Sequence, residues 1–113
     1  MTEATGVVEL TDRDFPAAAR KGVVLIDFWA PWCAPCHMQT PIVKELAREL
    51  AGRATVARIN VDENTQTAAR FGIRSIPTLV ILRDGSEVER FVGVQPKETL
   101  LAALERHLPD EGA

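Results

Sequence analysis

The stretch VVLIDFWAPWCAPC, residues 23–36, decides the fold of this 113-residue chain. Its first seven residues are apolar except for Asp27, a pattern typical of a strand that is covered on both faces. A turn containing prolines follows, and a helical pattern then runs from about residue 33 to about residue 50. The only two cysteines, Cys33 and Cys36, therefore lie at the N-terminus of a helix, directly after a buried strand.

The remaining pattern predicts one α/β domain over residues 1–113, with an ordered core over about residues 6–108. The order of elements is β-α-β-α-β-α-β-β-α. The first half predicts parallel strands with crossover helices, and the second half adds an antiparallel hairpin across Asp84-Gly85. The predicted strands are residues 7–10, 23–29, 55–61, 78–82 and 87–92, and the predicted helices are residues 11–21, 33–50 and 65–71 and a last one whose first turn contains Pro96.

Composition narrows the possible partners and the compartment. The formal net charge of −3 is mild, which argues against a nucleic-acid surface. No apolar stretch has the length of a membrane span. Residues 1–5 lack the basic and apolar segments of a secretory signal, which predicts a cytoplasmic, reducing compartment. In such a compartment a Cys-x-x-Cys pair is catalytic or metal-binding more often than structural.

The positions of the two cysteines predict unequal chemical roles. A thiolate at a helix N-terminus faces free backbone N–H groups and the positive end of the helix dipole, which favours the ionised form of Cys33. Cys36 lies one turn further along the helix, so its sulfur reaches Cys33 but is less exposed. We therefore expect Cys33 to attack a disulfide and Cys36 to resolve the product. Pro35 fixes the backbone between them.

Half of a zinc site and a pair of inert buried thiols are the alternatives for the two cysteines. Zinc usually takes four protein ligands, and only His37 and His107 are available to join the sulfurs. His37 is adjacent to Cys36, whereas His107 belongs to the distant last helix. The spacing therefore favours a redox pair, and we expect no metal-binding residues.

Asp27 is out of place in an apolar strand unless it is functional or paired. Burial raises the pKa of a carboxyl group toward neutrality, which suits a proton acceptor. Its strand ends just before the cysteine turn, so the carboxylate is expected beneath the sulfurs. The alternative is a structural aspartate paired with a cation such as Arg58, and the strand pattern does not choose between the two.

Three further residues also leave alternatives open. Trp32 either contacts a partner or packs over the site, with contact slightly favoured. His37 is expected to be a solvated helix residue rather than a catalytic one. For Pro77, at the start of a strand, an ordinary trans peptide bond is the default, and the sequence alone does not indicate a cis bond.

Several motifs follow one another along residues 7–108. They are DFWAPWCAPC at 27–36, Pro41, NVD at 60–62, FGIRSIPT at 71–78, Asp84-Gly85 and Gly93. In this order they resemble the thioredoxin family. The stretches APWC at 30–33 and SIPT at 75–78 are most similar to bacterial thioredoxins of the second type. Many of those carry an N-terminal zinc ribbon with four cysteines, which is absent here.

The resemblance implies a thioredoxin fold, with a central five-stranded mixed sheet flanked by four helices. It implies that Cys33 is the nucleophile, that Cys36 is the resolving thiol, and that Asp27 helps to move the proton of Cys36. It also implies a cis peptide bond before Pro77 and pairing of the Ile76 backbone with the substrate chain. The implied substrate-binding residues, around a flat apolar groove, are Trp32, Ala34, Pro35, Ile76, Pro77 and Gly93.

Three positions depart from the family pattern. Ala34 replaces the usual glycine between the cysteines, and His37 replaces the usual lysine after them. Arg58 replaces a lysine near the buried aspartate. Because arginine stays protonated, we expect Arg58 to hold Asp27 ionised and to oppose the effect of burial. These departures bear on redox potential and partner choice rather than on the type of reaction.

The predicted function is reduction of protein disulfides, an electron-carrier role in cell redox homeostasis. The chain has no nucleotide-binding glycine motif, so the implied partner, an NADPH-dependent flavoprotein thioredoxin reductase, would carry the cofactor. Disulfide-containing proteins are the implied substrates, and neither nucleic acid nor a membrane is an expected partner. We expect a monomer without a bound cofactor.

Two other functions use the same sequence features. An oxidant or isomerase would run the site in the opposite direction, and equilibration with a glutathione buffer distinguishes it from a reductase. A non-enzymatic scaffold would use the reduced groove only to hold a partner. In that case both cysteines would be replaceable without loss of the cellular phenotype.

Overall fold

The central strand of the sheet is the apolar strand that the sequence predicts. A computed structural model describes residues 6–109. Its elements are β1 (Val8–Glu9), α1 (Phe15–Ala18), β2 (Val23–Trp29), α2 (Ala34–Glu49), β3 (Thr55–Asn60), α3 (Thr65–Arg70), β4 (Thr78–Arg83), β5 (Ser86–Val92) and α4 (Lys97–His107). The strand order in the five-stranded sheet is β1-β3-β2-β4-β5. The pairs β1–β3 and β3–β2 are parallel, and the pairs β2–β4 and β4–β5 are antiparallel, so the predicted mixed sheet is confirmed.

Both faces of β2 are buried, which explains its nearly unbroken run of apolar residues. Val23 and Leu25 belong to a core cluster that includes buried residues of α2 and α4. Val24, Ile26 and Phe28 belong to a second cluster on the opposite face, which includes Phe15 of α1. Full burial of one such side chain contributes roughly 1.5–3 kcal/mol. Two cores therefore hold the strand that leads into the cysteine turn.

The first and last helices begin later than the sequence predicts. Thr11 and Asp14 have the spacing of a capping box, but the Asp14 carboxylate accepts a hydrogen bond from the Thr11 hydroxyl at 3.0 Å. In a capping box that carboxylate would instead accept from the Thr11 backbone amide. The other half of the box is present, because the Asp14 amide donates to the Thr11 hydroxyl oxygen at 3.2 Å. The helix predicted over residues 11–21 has only the four residues of α1. Pro96 precedes α4 as its N-cap, with extended backbone angles, rather than lying in its first turn.

The hairpin between β4 and β5 has the turn that the sequence predicts. Asp84 and Gly85 both have positive φ angles, of 51° and 87°. Two successive positive φ angles are typical of the type I′ turn, which favours Asp-Gly and matches the twist of the adjoining strands. In residues 6–109 no helix is long and apolar enough to cross a membrane.

Candidate active site

The cysteine turn follows β2 and forms the start of α2. The Cys33 amide donates to the Ala30 carbonyl at 3.1 Å, which closes the turn. Cys33 is the N-cap of α2, with extended backbone angles, and its sulfur accepts a hydrogen bond from the Cys36 amide at 3.2 Å. Cys33 and Cys36 are joined in a disulfide with a Cα–Cα distance of 5.2 Å.

The two sulfurs have different surroundings. Cys36 is completely buried, whereas Cys33 retains 4% of its surface. The sulfur of Cys33 also accepts the hydrogen bond from the Cys36 amide at the N-terminus of α2. In the reduced protein this hydrogen bond and the helix dipole would stabilise a thiolate on Cys33. The two sulfurs therefore differ in exposure and in hydrogen bonding, and their unequal roles stay a prediction.

Two loops meet next to the sulfur of Cys33. The Ile76–Pro77 peptide bond is cis, as the family resemblance implies and as the sequence alone does not indicate. The carbonyl oxygen of Ile76 lies 3.7 Å from the Cys33 sulfur. The amide of Gly93 donates to the carbonyl of Pro77 at 2.8 Å, which attaches the segment after β5 to this loop. The structure thus brings Cys33, Ile76, Pro77 and Gly93 together.

Trp32 forms an exposed apolar rim beside the cysteines. Its side chain is 70% exposed, although the indole Nε1 donates to the carboxylate of Asp62 at 2.8 Å. The ring is therefore held in place while most of it remains accessible. Ala34 and Pro35, in the first turn of α2, are also exposed. A shallow pocket of about 200 Å³ adjoins this rim and is lined by Trp32, Val61, Ile73, Arg74, Ser75 and Ile76.

Asp27 is fully buried in the middle of β2, opposite Arg58 of β3 in the register of the sheet. Its Oδ2 lies 3.9 Å from Nε of Arg58, which is too long for a hydrogen bond. Within residues 6–109 neither carboxylate oxygen of Asp27 has a hydrogen-bond partner. Burial raises the pKa of Asp27 to about 7, and the charge of Arg58 only partly opposes this. Arg58 therefore opposes the effect of burial, as expected, but it does not keep the pKa of Asp27 at its ordinary value.

The weak effect of Arg58 follows from where its guanidinium group is bound. Its Nη1 donates to Glu9 at 3.2 Å, and its Nη2 donates to the hydroxyl of Thr40 at 3.4 Å. The Arg58 Cζ atom also lies 3.9 Å from the centroid of a Trp29 ring. The guanidinium is thus directed toward Glu9, Thr40 and Trp29, so the Asp27 carboxylate remains poorly solvated.

Arg58 also connects Asp27 to the cysteine helix. The Thr40 hydroxyl, which accepts from Arg58, donates in turn to the backbone carbonyl of Cys36 at 3.1 Å. One ion pair without a hydrogen bond and two hydrogen bonds therefore lead from Asp27 through Arg58 and Thr40 to the backbone of Cys36. Trp29, the last residue of β2, is half-buried and packs against the cysteines.

His37 is exposed, but it is not simply a solvated helix residue. Its Nε2 lies 2.6 Å from the carbonyl oxygen of Pro31, which can only accept a hydrogen bond. Nε2 must therefore carry the proton. The ring also makes an edge contact with Trp29, with centroids 6.3 Å apart. His37 thus stabilises the turn between β2 and α2 through its contacts with Pro31 and Trp29.

Sequence reasoning missed two residues that support the site. Asp62 holds Trp32, and Gln39 is a fully buried polar side chain on the apolar face of α2. Gln39 follows Cys36 by one turn and precedes Val43 on the same buried face. The side-chain amide of Gln39 on an apolar helix face could have indicated a supporting role, because a buried polar group requires hydrogen-bond partners.

No group of three or more His, Cys, Asp or Glu side chains within residues 6–109 is arranged to hold a metal ion. His107 instead contacts Glu89, with Nε2 2.8 Å from a carboxylate oxygen. His37 contacts Pro31, as described above. Neither histidine therefore joins the two cysteines.

Comparison with known proteins gives one consistent result. A family profile described as Thioredoxin matches residues 6–106. The chain is 47% identical over 102 residues to the thioredoxin of Staphylococcus aureus, which covers 90% of this chain and 98% of that protein. A solved structure of a mutant thioredoxin from Halobacterium salinarum has a TM-score of 0.83 and 35% identity, with 97% of each chain covered. The chain therefore belongs to the thioredoxin family, and Cys33 and Cys36 are its pair for thiol–disulfide exchange.

Proposed function

We propose that Cys33 is the attacking sulfur and Cys36 the resolving sulfur in the reduction of protein disulfides. The Cys33 thiolate attacks one sulfur of a substrate disulfide, forms a mixed disulfide and expels the other sulfur as a thiolate. Cys36 then attacks the Cys33 sulfur and releases the second substrate thiol, which leaves Cys33 and Cys36 oxidised. The observation that carries this assignment is the hydrogen bond from the Cys36 amide to the Cys33 sulfur at the N-terminus of α2.

Reduction of insulin by dithiothreitol tests this function. The wild-type protein is expected to accelerate the reaction, because dithiothreitol keeps the Cys33–Cys36 pair reduced and the pair then reduces insulin. Cys33→Ser is expected to be no faster than dithiothreitol alone. If wild-type activity does not exceed that of Cys33→Ser, the proposal is wrong.

We also propose that Asp27 accepts the proton of Cys36 during the resolving step. Its raised pKa of about 7 supports this, because a proton acceptor is most effective when its pKa lies near the working pH. The link through Arg58 and Thr40 to the Cys36 backbone supports a shared function for these residues. Asp27 would then be ionised, and able to accept a proton, only above about pH 7.

Asp27→Asn is expected to lengthen the lifetime of the mixed disulfide near neutral pH. A positioned general base contributes about 100-fold at the lower end of its usual range, so resolution is expected to slow by about that factor. Stopped-flow measurement of mixed-disulfide decay checks this. The rate of resolution in the wild type is also expected to fall as pH falls from about 8 to about 6. The variant is expected to lack this change of rate with pH. Unchanged decay in the variant would make Asp27 merely structural.

We propose that substrates bind across the surface formed by the cysteine turn, the cis-proline loop and the segment after β5. The exposed Trp32, the nearby carbonyl of Ile76 and the attachment of Gly93 to Pro77 support this assignment. An extended substrate segment would pair with the Ile76 backbone as an added strand. The proposed substrate-binding residues are Trp32, Ala34, Pro35, Ile76, Pro77 and Gly93.

Membership in the family supports proposals for the partners and the cellular compartment. We propose that thioredoxin reductase, an NADPH-dependent flavoprotein, returns the disulfide to the dithiol, and that disulfide-containing proteins are the substrates. A cytoplasmic location suits a reductase, because that compartment keeps thiols reduced. We further propose a single monomeric domain over residues 1–113. The stretches APWC at 30–33 and SIPT at 75–78 support assignment to the second type of bacterial thioredoxin.

A further inference from the structure

Gln39 makes two hydrogen bonds to the backbone of a single residue. Its Oε1 accepts from the amide of Gln95 at 2.7 Å, and its Nε2 donates to the carbonyl of Gln95 at 3.1 Å. The side chain is fully buried in the apolar face of α2. A buried amide is destabilising unless its polar atoms are paired, and here both the donor and the acceptor are used. Gln39 therefore fixes both main-chain groups of Gln95 relative to α2.

Gln95 lies in the segment that joins β5 to α4, next to the proposed substrate groove. Gly93 begins this segment with a φ of 94° and donates its amide to Pro77 at 2.8 Å. The side chain of Gln95 lies 3.4 Å from the Gly93 carbonyl oxygen, to which it donates. The segment is thus attached to the cis-proline loop at one end and to α2 at the other.

The side chains on either side of Gly93 are apolar and exposed. Val92 is 61% exposed and Val94 is 37% exposed. Together with Gly93, whose amide is bonded to the cis-proline loop, they form an exposed apolar segment, and we call residues 92–94 the Gly93 wall. In the binding mode proposed above, an extended substrate segment would contact this wall at Gly93, whereas a small disulfide needs to reach only the sulfur of Cys33.

We propose that Gln39 is a positioning residue that holds the Gly93 wall in place relative to the cysteine helix, and that it thereby sets the affinity for protein disulfides. This inference rests on the proposed role of Gly93 in substrate binding. Gln39 does not contact the sulfurs through its hydrogen bonds, so it acts on binding rather than on the exchange reaction. Its expected signature is a change in KM without a change in kcat.

The first test compares Gln39→Met with wild type on two substrates. Methionine has a similar length and fills the same space but neither donates nor accepts these hydrogen bonds. The KM for insulin is expected to rise by at least about fivefold, the net effect of one of the two lost hydrogen bonds, while kcat stays within about twofold. The rate with 5,5′-dithiobis(2-nitrobenzoic acid), a small disulfide, is expected to stay within about twofold as well.

Gln66→Met is the matched control, because Gln66 is exposed on α3, away from the groove. It is expected to leave both substrates unaffected. Equal slowing of insulin and the small disulfide in Gln39→Met, or no change in either, would overturn the positioning role. Failure of the wild-type protein to reduce insulin at all would instead refute the proposed function.

Amide hydrogen exchange on the wild-type protein tests the same inference without any substitution. The Gln95 amide is expected to exchange at least about tenfold more slowly than a freely solvated loop amide, because Gln39 occupies it. Exchange at the rate of a freely solvated amide would show that Gln39 does not hold the wall. This measurement keeps the inference testable even if Gln39→Met fails to fold.

Discussion

Replacing Asp27 by asparagine is expected to stabilise the oxidised protein at alkaline pH but not at acid pH. Burial raises the pKa of the carboxyl group from 3.8 in the unfolded chain to about 7 in the folded protein. Between these values the folded state holds a proton that unfolding releases, so the free energy of unfolding of the wild type falls as pH rises. The stabilisation by the proton is complete below about pH 4 and lost above about pH 7.

The expected size of this effect is large for one residue. A shift from 3.8 to about 7 corresponds to about 4 kcal/mol. The stability gain of Asp27→Asn at about pH 9 is therefore expected to exceed its gain at about pH 3 by about 4 kcal/mol. Urea unfolding across this pH range measures the difference.

Glu105→Gln is a control for loss of a carboxylate at an exposed site on α4. Surface changes of this kind usually alter stability by less than about 0.5 kcal/mol. A pH-independent difference between wild type and Asp27→Asn would mean that folding leaves the pKa of Asp27 at its ordinary value of 3.8. The charge of Arg58 would then fully offset the effect of burial on the pKa of Asp27.

Cys36→Ser is expected to stop turnover after the first chemical step. Cys33 keeps its amide donor at the start of α2, so it still attacks a substrate disulfide. The mixed disulfide then waits for an external thiol, because the neighbouring sulfur is gone. Well-oriented intramolecular groups act as if present at about 10⁵ M or more. Against about 1 mM dithiothreitol, we therefore expect insulin turnover to fall by at least about 1,000-fold.

The accumulation of the mixed disulfide separates this result from a general loss of activity. After one turnover, most of the Cys36→Ser protein is expected to carry substrate, as a mass increase equal to the attached chain. Wild type is expected to carry almost none, since Cys36 releases it. Slow turnover of Cys36→Ser without any mixed disulfide would contradict the predicted order of steps.

Local patterns in the sequence were sufficient for most of the fold. The apolar run of β2, interrupted only by Asp27, predicts a strand with two covered faces. The helix α2 and the hairpin turn at Asp84 also lie where the sequence patterns indicate. Helix ends were less predictable, because they depend on individual hydrogen bonds. The Thr11 hydroxyl bonds to the Asp14 carboxylate, which the spacing of the two residues does not reveal.

The site shows a similar division. The cysteine spacing predicts which sulfur lies at the helix N-terminus, since that depends only on neighbouring residues. The net effect of Arg58 on Asp27 depends on where the guanidinium points, and Glu9, Thr40 and Trp29 determine that. These contacts join residues far apart in the chain, so no local pattern contains them.

Long-range pairing also explains why the sequence does not indicate the role of Gln39. Its partner Gln95 is separated from it by 56 positions. The sequence shows a polar residue on an apolar helix face, and only the folded chain shows which backbone groups it binds. Trp32 and Asp62 are related in the same way across 30 positions.

Peptide mass mapping of trapped intermediates identifies which sulfur attacks the substrate, Cys33 or Cys36. Reduced Cys33→Ser and Cys36→Ser are each mixed with oxidised insulin, quenched with acid and digested. We predict an insulin chain attached to Cys33 in the Cys36→Ser protein and almost none attached to Cys36 in the Cys33→Ser protein. Attachment to Cys36 at an equal or faster rate would show that Cys33 is not the attacking sulfur.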